Sequence, residues 1–225
     1  MGPTKRKKRL FKALIEAGYI DEAIDLEFEK YPDFWQLGTE TRGEYGWKAG
    51  IIEELRVMQP PHEPGIVLWL DSGDRISIGF LRWLPGFLNR HGLWTAQSQG
   101  TMRMWTHPGL LSYYNDSLDN FPEDETSCNG AAIAFDVRNS TVRDGILNEW
   151  VQCAKTKECI APEGSSRENH RQDQAALTYL VKKMGYSDEL CHGLPAVFGV
   201  QTNQDRYCKE DITKYQDRVV PSLRL

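Results

Sequence analysis

The stretch Gly65-Ile66-Val67-Leu68-Trp69-Leu70-Asp71-Ser72-Gly73-Asp74 decides how the chain is read. Five consecutive apolar residues, Ile66 to Leu70, are followed at once by an acid, a small residue, a glycine and a second acid. A short unbroken apolar run reads as a strand buried on both faces, typical of a parallel or mixed sheet sandwiched by helices. Ligands of open α/β sheets gather at the carboxyl end of such strands. Two carboxylates there form a hard, oxygen-rich site suited to a divalent cation or to sugar hydroxyls.

Working outward, Ile51, Ile52 and Leu55 give one helical face, so a helix starts near Trp47. Residues 59–65, rich in proline, end it. Helix, turn and strand in that order make half of an αβ unit. Downstream, Ile76 to Leu88 reads as a helix kinked or bounded by Pro85, and Leu93 to Ala96 as a short strand. A polar loop over 97–106 and a helix opening at Pro108 come next. An acidic loop over 115–127 leads to a second buried strand, Ala131 to Phe135, closed by Asp136. Helices are expected over 142–154 and 172–184, with a loop over 155–169 between them and a weak strand at Ala196-Val197-Phe198. At the start, Leu10, Leu14, Ile15 and Ala17 share a helical face that Gly18 interrupts, and Asp21 caps a second helix carrying Ile24 and Phe28. The pattern is an α/β sandwich with few strands. It contains neither Gly-x-Gly-x-x-Gly nor a P-loop.

A length of 225 residues suits one large domain or two small ones. The division expected is a basic, helical segment over 1–30 and a single domain over 31–225. A net charge of −5 argues against nucleic-acid binding by the whole domain. The cluster Lys5-Arg6-Lys7-Lys8-Arg9 reads as a solvated terminus, with a targeting or nucleic-acid arm as the alternative. Seven Trp, nine Tyr and eight Phe supply either core or stacking platforms. No stretch reaches the ~18 apolar residues of a membrane span. Cys128, Cys153, Cys159, Cys191 and Cys208 all lie in the second half and match no zinc spacing. They suit one or two disulfides in an oxidising compartment. Sequons at Asn115 and Asn139 agree with a secretory route. The expected location is the Golgi or secretory lumen if the chain is a trimmed fragment, and the cytoplasm if Met1 is a native start.

Four polar clusters fall at element ends. Asp71 with Asp74 and Arg75 reads as a Mg²⁺ or Mn²⁺ site for a diphosphate, or as an acidic turn capping a helix. Trp47-Lys48 with Tyr45 offers an ammonium for phosphate and an indole for stacking, or a Trp packed beside a solvated Lys. Ser127-Cys128-Asn129-Gly130 suits close backbone approach to a ligand, or an ordinary turn. In Asn169-His170-Arg171-Gln172-Asp173-Gln174 the acid falls in a helix's first turn. There the helix dipole stabilises it, and it is also placed to act as a base. The lone histidines, His62, His91, His107 and His192, read as surface or packing residues.

Together these clusters resemble a GT-A glycosyltransferase. The order runs Tyr-Gly-Trp-Lys at 45–48, Leu-Asp-Ser-Gly at 70–73, Asn-Gly at 129–130 and His-Arg-Gln-Asp-Gln-Ala-Ala-Leu at 170–177. They are similar to a group of GT-A-like proteins with a Trp-Lys-Pro helix start and a Leu-Asp-Ala-Gly strand end, over roughly residues 30–185. The resemblance implies a GT-A-like mixed sheet flanked by helices, a nucleotide-sugar donor, a glycan or protein hydroxyl acceptor, and Mn²⁺ or Mg²⁺. By position, Trp47, Lys48, Asp71, Asp74, Asn129, Gly130 and Gln174 would bind the donor. Asp71, Asp74 and His192 would hold the metal, and Asp173 or Asp136 would serve as base. Two departures stand out. The second acid, Asp74, falls one residue later than an Asp-x-Asp motif puts it, and the family's opening nucleotide-binding strand is not seen. Two other classes fit the same residues: a non-catalytic carbohydrate-binding or scaffold protein with a decayed or truncated transferase fold, and a metal-dependent hydrolase using Asp71, Asp74 and His192.

Overall fold

A computed structural model describes residues 5–24, 30–35, 43–58, 65–71, 73–186 and 190–202, with side chains from residue 11 onward. At its centre is a three-stranded sheet of β1 (Ile66–Leu70), β3 (Leu93–Thr101) and β4 (Thr126–Asp136), in the order β1-β4-β3. Both pairings are antiparallel. In one, Ile66 lies opposite Asp136 and Leu70 opposite Ala132; in the other, Leu93 lies opposite Phe135. So β1 and β3 run the same way, with β4 reversed between them. The α/β class stands, and the buried apolar run is a strand covered on both faces, but no two hydrogen-bonded neighbours among the described residues are parallel.

Alternation along the strands divides the core. Val67, Trp69, Leu93, Ile133 and Phe135 pack on one face with Ile51, Ile52, Trp150 and Leu177. These come from α2 (Trp47–Met58), α7 (Asn148–Lys155) and α9 (Gln172–Lys183). Ala132, Ala134, Trp94 and Ala96 face the other way, onto Phe80, Leu81, Leu84 and Leu88 of α3 (Ile78–His91) and onto Leu14 of α1 (Lys5–Glu16). The two small alanines of β4 leave room for the Phe80–Trp94 pair, whose rings are 4.6 Å apart. Much of the aromatic supply is therefore core.

Helix α3 has clear ends. The Ser77 hydroxyl accepts the Phe80 N–H at its start, and Gly92, left-handed at φ 73°, closes it. Pro85 lies inside α3 and on its exposed side, so the helix runs through the expected boundary. At the N-terminus, Gly18 ends α1 with φ 71°. Residues 21–24 are not helical, and 25–29, with Phe28 of the expected second helix, lie outside the described residues.

Several expected loops carry structure. β3 continues to Thr101 and passes into α4 (Met102–Trp105), where Thr101 caps the Met104 N–H. α5 spans Pro108–Tyr113 as expected. α6 (Ser140–Val142) continues through a π-helical turn, Arg143–Leu147, into α7. α8 (Lys157–Ile160) interrupts the 155–169 loop. The expected strand at 196–198 is a 3₁₀ turn. The strand that follows, β5 (Val200–Gln201), pairs with β2 (Arg75–Ile76). Disulfides join Cys128 to Cys191 and Cys153 to Cys159, while Cys208 lies outside the described residues, as do His62 and Ser72. No described helix is long and apolar enough to cross a membrane.

Candidate functional site

The N-terminus of α2 is set by an unusual turn. Gly43, Glu44 and Tyr45 are all left-handed, with φ of 64°, 53° and 60°. Two non-glycine residues in that region cost of order 1–3 kcal/mol each, so packing must hold them there. A Cβ on Gly46 would come within 3.1 Å of Ala154, which shows how closely the turn is pressed onto α7. The turn aims Lys48 inward, and only 5 % of that residue is exposed. Its ammonium meets the Gly130 carbonyl at 2.9 Å, Asp71 Oδ1 at 3.2 Å and Asp173 Oδ2 at 3.2 Å. An ammonium has three donors, and here three oxygens surround it.

Each oxygen arrives by a different route. Asp71 follows β1, its N–H bonded to the Ala131 carbonyl at 2.8 Å. The Trp69 indole donates to Asp71 Oδ1 at 2.8 Å. Gly130 sits where the β3–β4 register slips, because Thr95 pairs with Ile133 but Gln97 with Cys128. Within that irregular stretch the Asn129 side chain accepts the Ala131 N–H at 2.8 Å, and Thr95 donates to the Asn129 carbonyl at 2.7 Å. These bonds turn the Gly130 carbonyl toward Lys48. The expected turn at 127–130 is thus strand, bulged rather than ended. Asp173 lies in the first turn of α9, after Gln172 at φ 40°. The Trp150 indole donates to the Asp173 backbone carbonyl at 2.9 Å. Gln174 bridges the elements, accepting the Gly130 N–H at 3.4 Å and donating to the Ser127 hydroxyl at 3.3 Å.

One cation between two carboxylates leaves an acid short of donors. Burial raises Asp173, Lys48 opposes that, and Asp71 adds repulsion; the net effect lifts it to about 6. Burial alone would lower Lys48, but Asp173 and then Asp71 more than reverse this, and the ammonium is held charged. The two acids differ in access. The Asp71 side chain is 36 % exposed and that of Asp173 is 7 %, so Asp71 faces outward and Asp173 stands behind Lys48.

Aromatic rings form the wall beside this cluster. Trp47 and Trp69 meet edge to face at 5.4 Å, and Lys48 Nζ lies 5.4 Å from the centre of the Tyr45 ring. On Tyr45 also rests Arg167, which no motif had singled out. Its guanidinium is 5.4 Å from the ring centre and donates to the Tyr45 hydroxyl at 2.9 Å. Arg167 is exposed, and among the described residues no acid pairs with it. Its loop is braced from within. Asn169 accepts the Ser166 N–H and donates to the Gly164 carbonyl. His170, fully buried, bonds the His107 N–H through Nδ1 and the Ile160 carbonyl through Nε2. Burial lowers His170 to about 4, so it is neutral and structural.

Of the expected site residues, Trp47, Lys48, Asp71, Gly130, Asp173 and Gln174 come together, with Asn129 shaping Gly130. Asp74 is 2 % exposed, its N–H closing a turn onto the Asp71 carbonyl at 2.9 Å. Asp136 does not join them. Antiparallel pairing puts it opposite Ile66, at the other end of the sheet, where it pairs with Arg138 at 3.2 Å. Six residue steps along β4 separate it from Gly130, about 20 Å. His192 is exposed, on a segment tied to β3 through Gln97 N–H to the Gly193 carbonyl at 2.9 Å. Among the described residues no three His, Cys, Asp or Glu side chains gather as metal ligands. The expected Asp71–Asp74–His192 set is therefore not formed there, and Asp71 Oδ1 faces an ammonium and an indole instead. Arg167 gave no sequence signal beyond its loop, but Trp69 and Asp71 did. Spaced i, i+2 along a strand, they share a face.

Mouse xyloside xylosyltransferase 1 in its apo form is a solved structure similar to this chain, with 16 % identity and a TM-score of 0.41 over 75 % of this chain. The similarity takes in 57 % of that protein, so the chain spans little more than half its length. No protein-family profile matches the sequence, and no curated protein does.

Proposed function

We propose that this chain transfers a sugar from a nucleotide-sugar donor to a hydroxyl of a glycan or protein acceptor, as a GT-A-type domain. One observation carries the reading. Residues scattered from 47 to 174 meet at the carboxyl end of β1, around the Lys48 ammonium. Asp71, the outward acid, is the group a substrate hydroxyl can reach. Asp173 is a positioning residue that acts through Lys48, and its shared negative charge keeps the ammonium in place. Among the described residues Arg167 spends one of its five donors, on Tyr45, and its planar fork suits a donor diphosphate. The Trp47, Trp69 and Tyr45 rings offer the apolar wall that sugars and bases stack on. Among the described residues no three side chains gather as metal ligands, and the positive charge facing a diphosphate comes from Arg167.

The test is turnover of a panel of UDP- and GDP-sugars, with simple glycosides as acceptors and with Mn²⁺, Mg²⁺ or EDTA in separate arms. Asp71→Asn is expected to lose on the order of 100-fold, and equal turnover in wild type and variant overturns the assignment. A second reading, a non-catalytic carbohydrate-binding or scaffold protein, is favoured by one observation: all three Lys48 donors are met from inside the protein. Folded protein that gains no thermal stability from any nucleoside diphosphate, with or without Mn²⁺, selects that second reading.

A further inference from the structure

The two sequons, Asn115-Asp116-Ser117 and Asn139-Ser140-Thr141, look alike as sequence. The structure separates them. Asn139 is the N-cap of α6: its side-chain oxygen accepts the Val142 N–H at 3.1 Å. Its amide nitrogen, the atom a glycan would occupy, is wedged against α3's closing glycine. A Cβ on Gly92 would lie 2.6 Å from Asn139 Nδ2. A sugar on that nitrogen needs space that the Gly92 backbone and Val142 fill, and it would pull the cap off the helix.

Asn115 differs on every count. It is exposed and sits in a turn with φ 53°, its backbone N–H held by the Ser112 carbonyl at 3.0 Å. Among the described residues its carboxamide makes no hydrogen bond. Tyr113, two residues ahead at the end of α5, is 39 % exposed and offers an aromatic face to a first sugar. Ser117, the sequon hydroxyl, is also exposed. A second observation agrees with a compartment where this chemistry occurs. Four cysteines are joined in two disulfides and none of the four is exposed, a pattern of oxidising compartments.

We propose that Asn115 carries an N-linked glycan and that Asn139 does not. In the reaction the Asn115 amide nitrogen attacks the anomeric carbon of a lipid-diphosphate-linked oligosaccharide. The C–N bond forms, the anomeric C–O bond to the diphosphate breaks, the lipid diphosphate leaves, and the amide gives up one proton. This proposal is independent of the transferase reading.

The experiment expresses the whole chain behind a removable leader in eukaryotic secretory cells, and reads the mass of cell-retained and secreted protein before and after enzymatic deglycosylation. Wild type is expected to carry one glycan. Asn115→Gln and Ser117→Ala are each expected to carry none, and Thr141→Val, which removes the second sequon without touching its cap, to keep one. Ser117→Ala leaves Asn115 in place, so the result does not hang on tolerance of glutamine at a left-handed position. A glycan that persists in Asn115→Gln, one that is lost in Thr141→Val, or wild type without a glycan at Asn115 overturns the proposal.

Discussion

Two lysine–aspartate clusters lie at opposite ends of α9, and they are built in opposite ways. Around Lys48 one donor group serves two carboxylates and a carbonyl, and Asp173 is pushed up. Around Asp116 one carboxylate collects four donors: Lys183 at 2.6 Å, Asn120 at 2.6 Å, the Ser117 N–H at 2.8 Å and the Tyr179 hydroxyl at 3.0 Å. The Lys183 and Asn120 bonds, above all, hold Asp116 well below the usual carboxylate range. A saturated acid fixes a loop. An acid short of donors, beside a strained backbone and an exposed neighbour, is poised to respond to a ligand or a proton.

Removing the cation should break this contrast most sharply. Lys48→Met leaves two carboxylates around a buried apolar tip, and breaking such a pair costs about 3–5 kcal/mol. Denaturant midpoints check this, and the double variant Lys48→Met/Asp173→Asn should recover part of the loss. Recovery of none would mean that the two groups are not coupled. Asp116→Ala comes next, at about 2 kcal/mol, since its partners are charged or polar but Lys183 is half exposed.

The pH dependences run in opposite directions. Asp173 is raised, so its contribution is full below the unfolded carboxylate value near 3.8 and is lost as pH rises through about 6. Asp116 is lowered, so its contribution is present above 3.8 and is lost as pH falls below it. His170 is lowered as well, so its contribution is present above 6.5 and drains away toward about 4. Subtracting the pH–stability profile of Asp173→Asn from that of wild type should leave a curve that falls from pH 4 to 6. The corresponding difference for Asp116→Asn should fall only on acidification. A flat difference in either case removes that residue from the comparison. The smallest effect on stability, within about 0.5 kcal/mol, is expected for Arg167→Gln. The same variant should nonetheless weaken UDP or inorganic pyrophosphate about tenfold by calorimetry. Unchanged affinity would show Arg167 to be an ordinary surface cation.

Much of this site could be read from local pattern. The run 66–70 is a strand, Trp47 starts a helix, and Asp173 lies in a helix's first turn, because apolar periodicity reports directly on burial. What local pattern missed depends on pairing. Asn129-Gly130 looks like a turn because those residues favour turns. It is strand because β3 and β4 slip past each other there and still bond on either side. Asp136 reads as a second site acid because an aspartate closes each apolar run, yet antiparallel pairing sends the two ends apart. Arg167 faces Tyr45 across 122 residues of chain, a proximity that no window of sequence contains.

The disulfide between Cys128 and Cys191, 63 positions apart in the chain, closes a ring. Gly130, Arg167, Asp173 and Gln174 all belong to that ring, so the second half of the site is a covalent circle, joined to the Lys48 and Asp71 half by the backbone entering at Cys128 and by the bonds around the ammonium. A protease that nicks the exposed residues 166–169 would open the circle without releasing either piece. The cut protein should run as two fragments under reducing conditions and as one molecule otherwise.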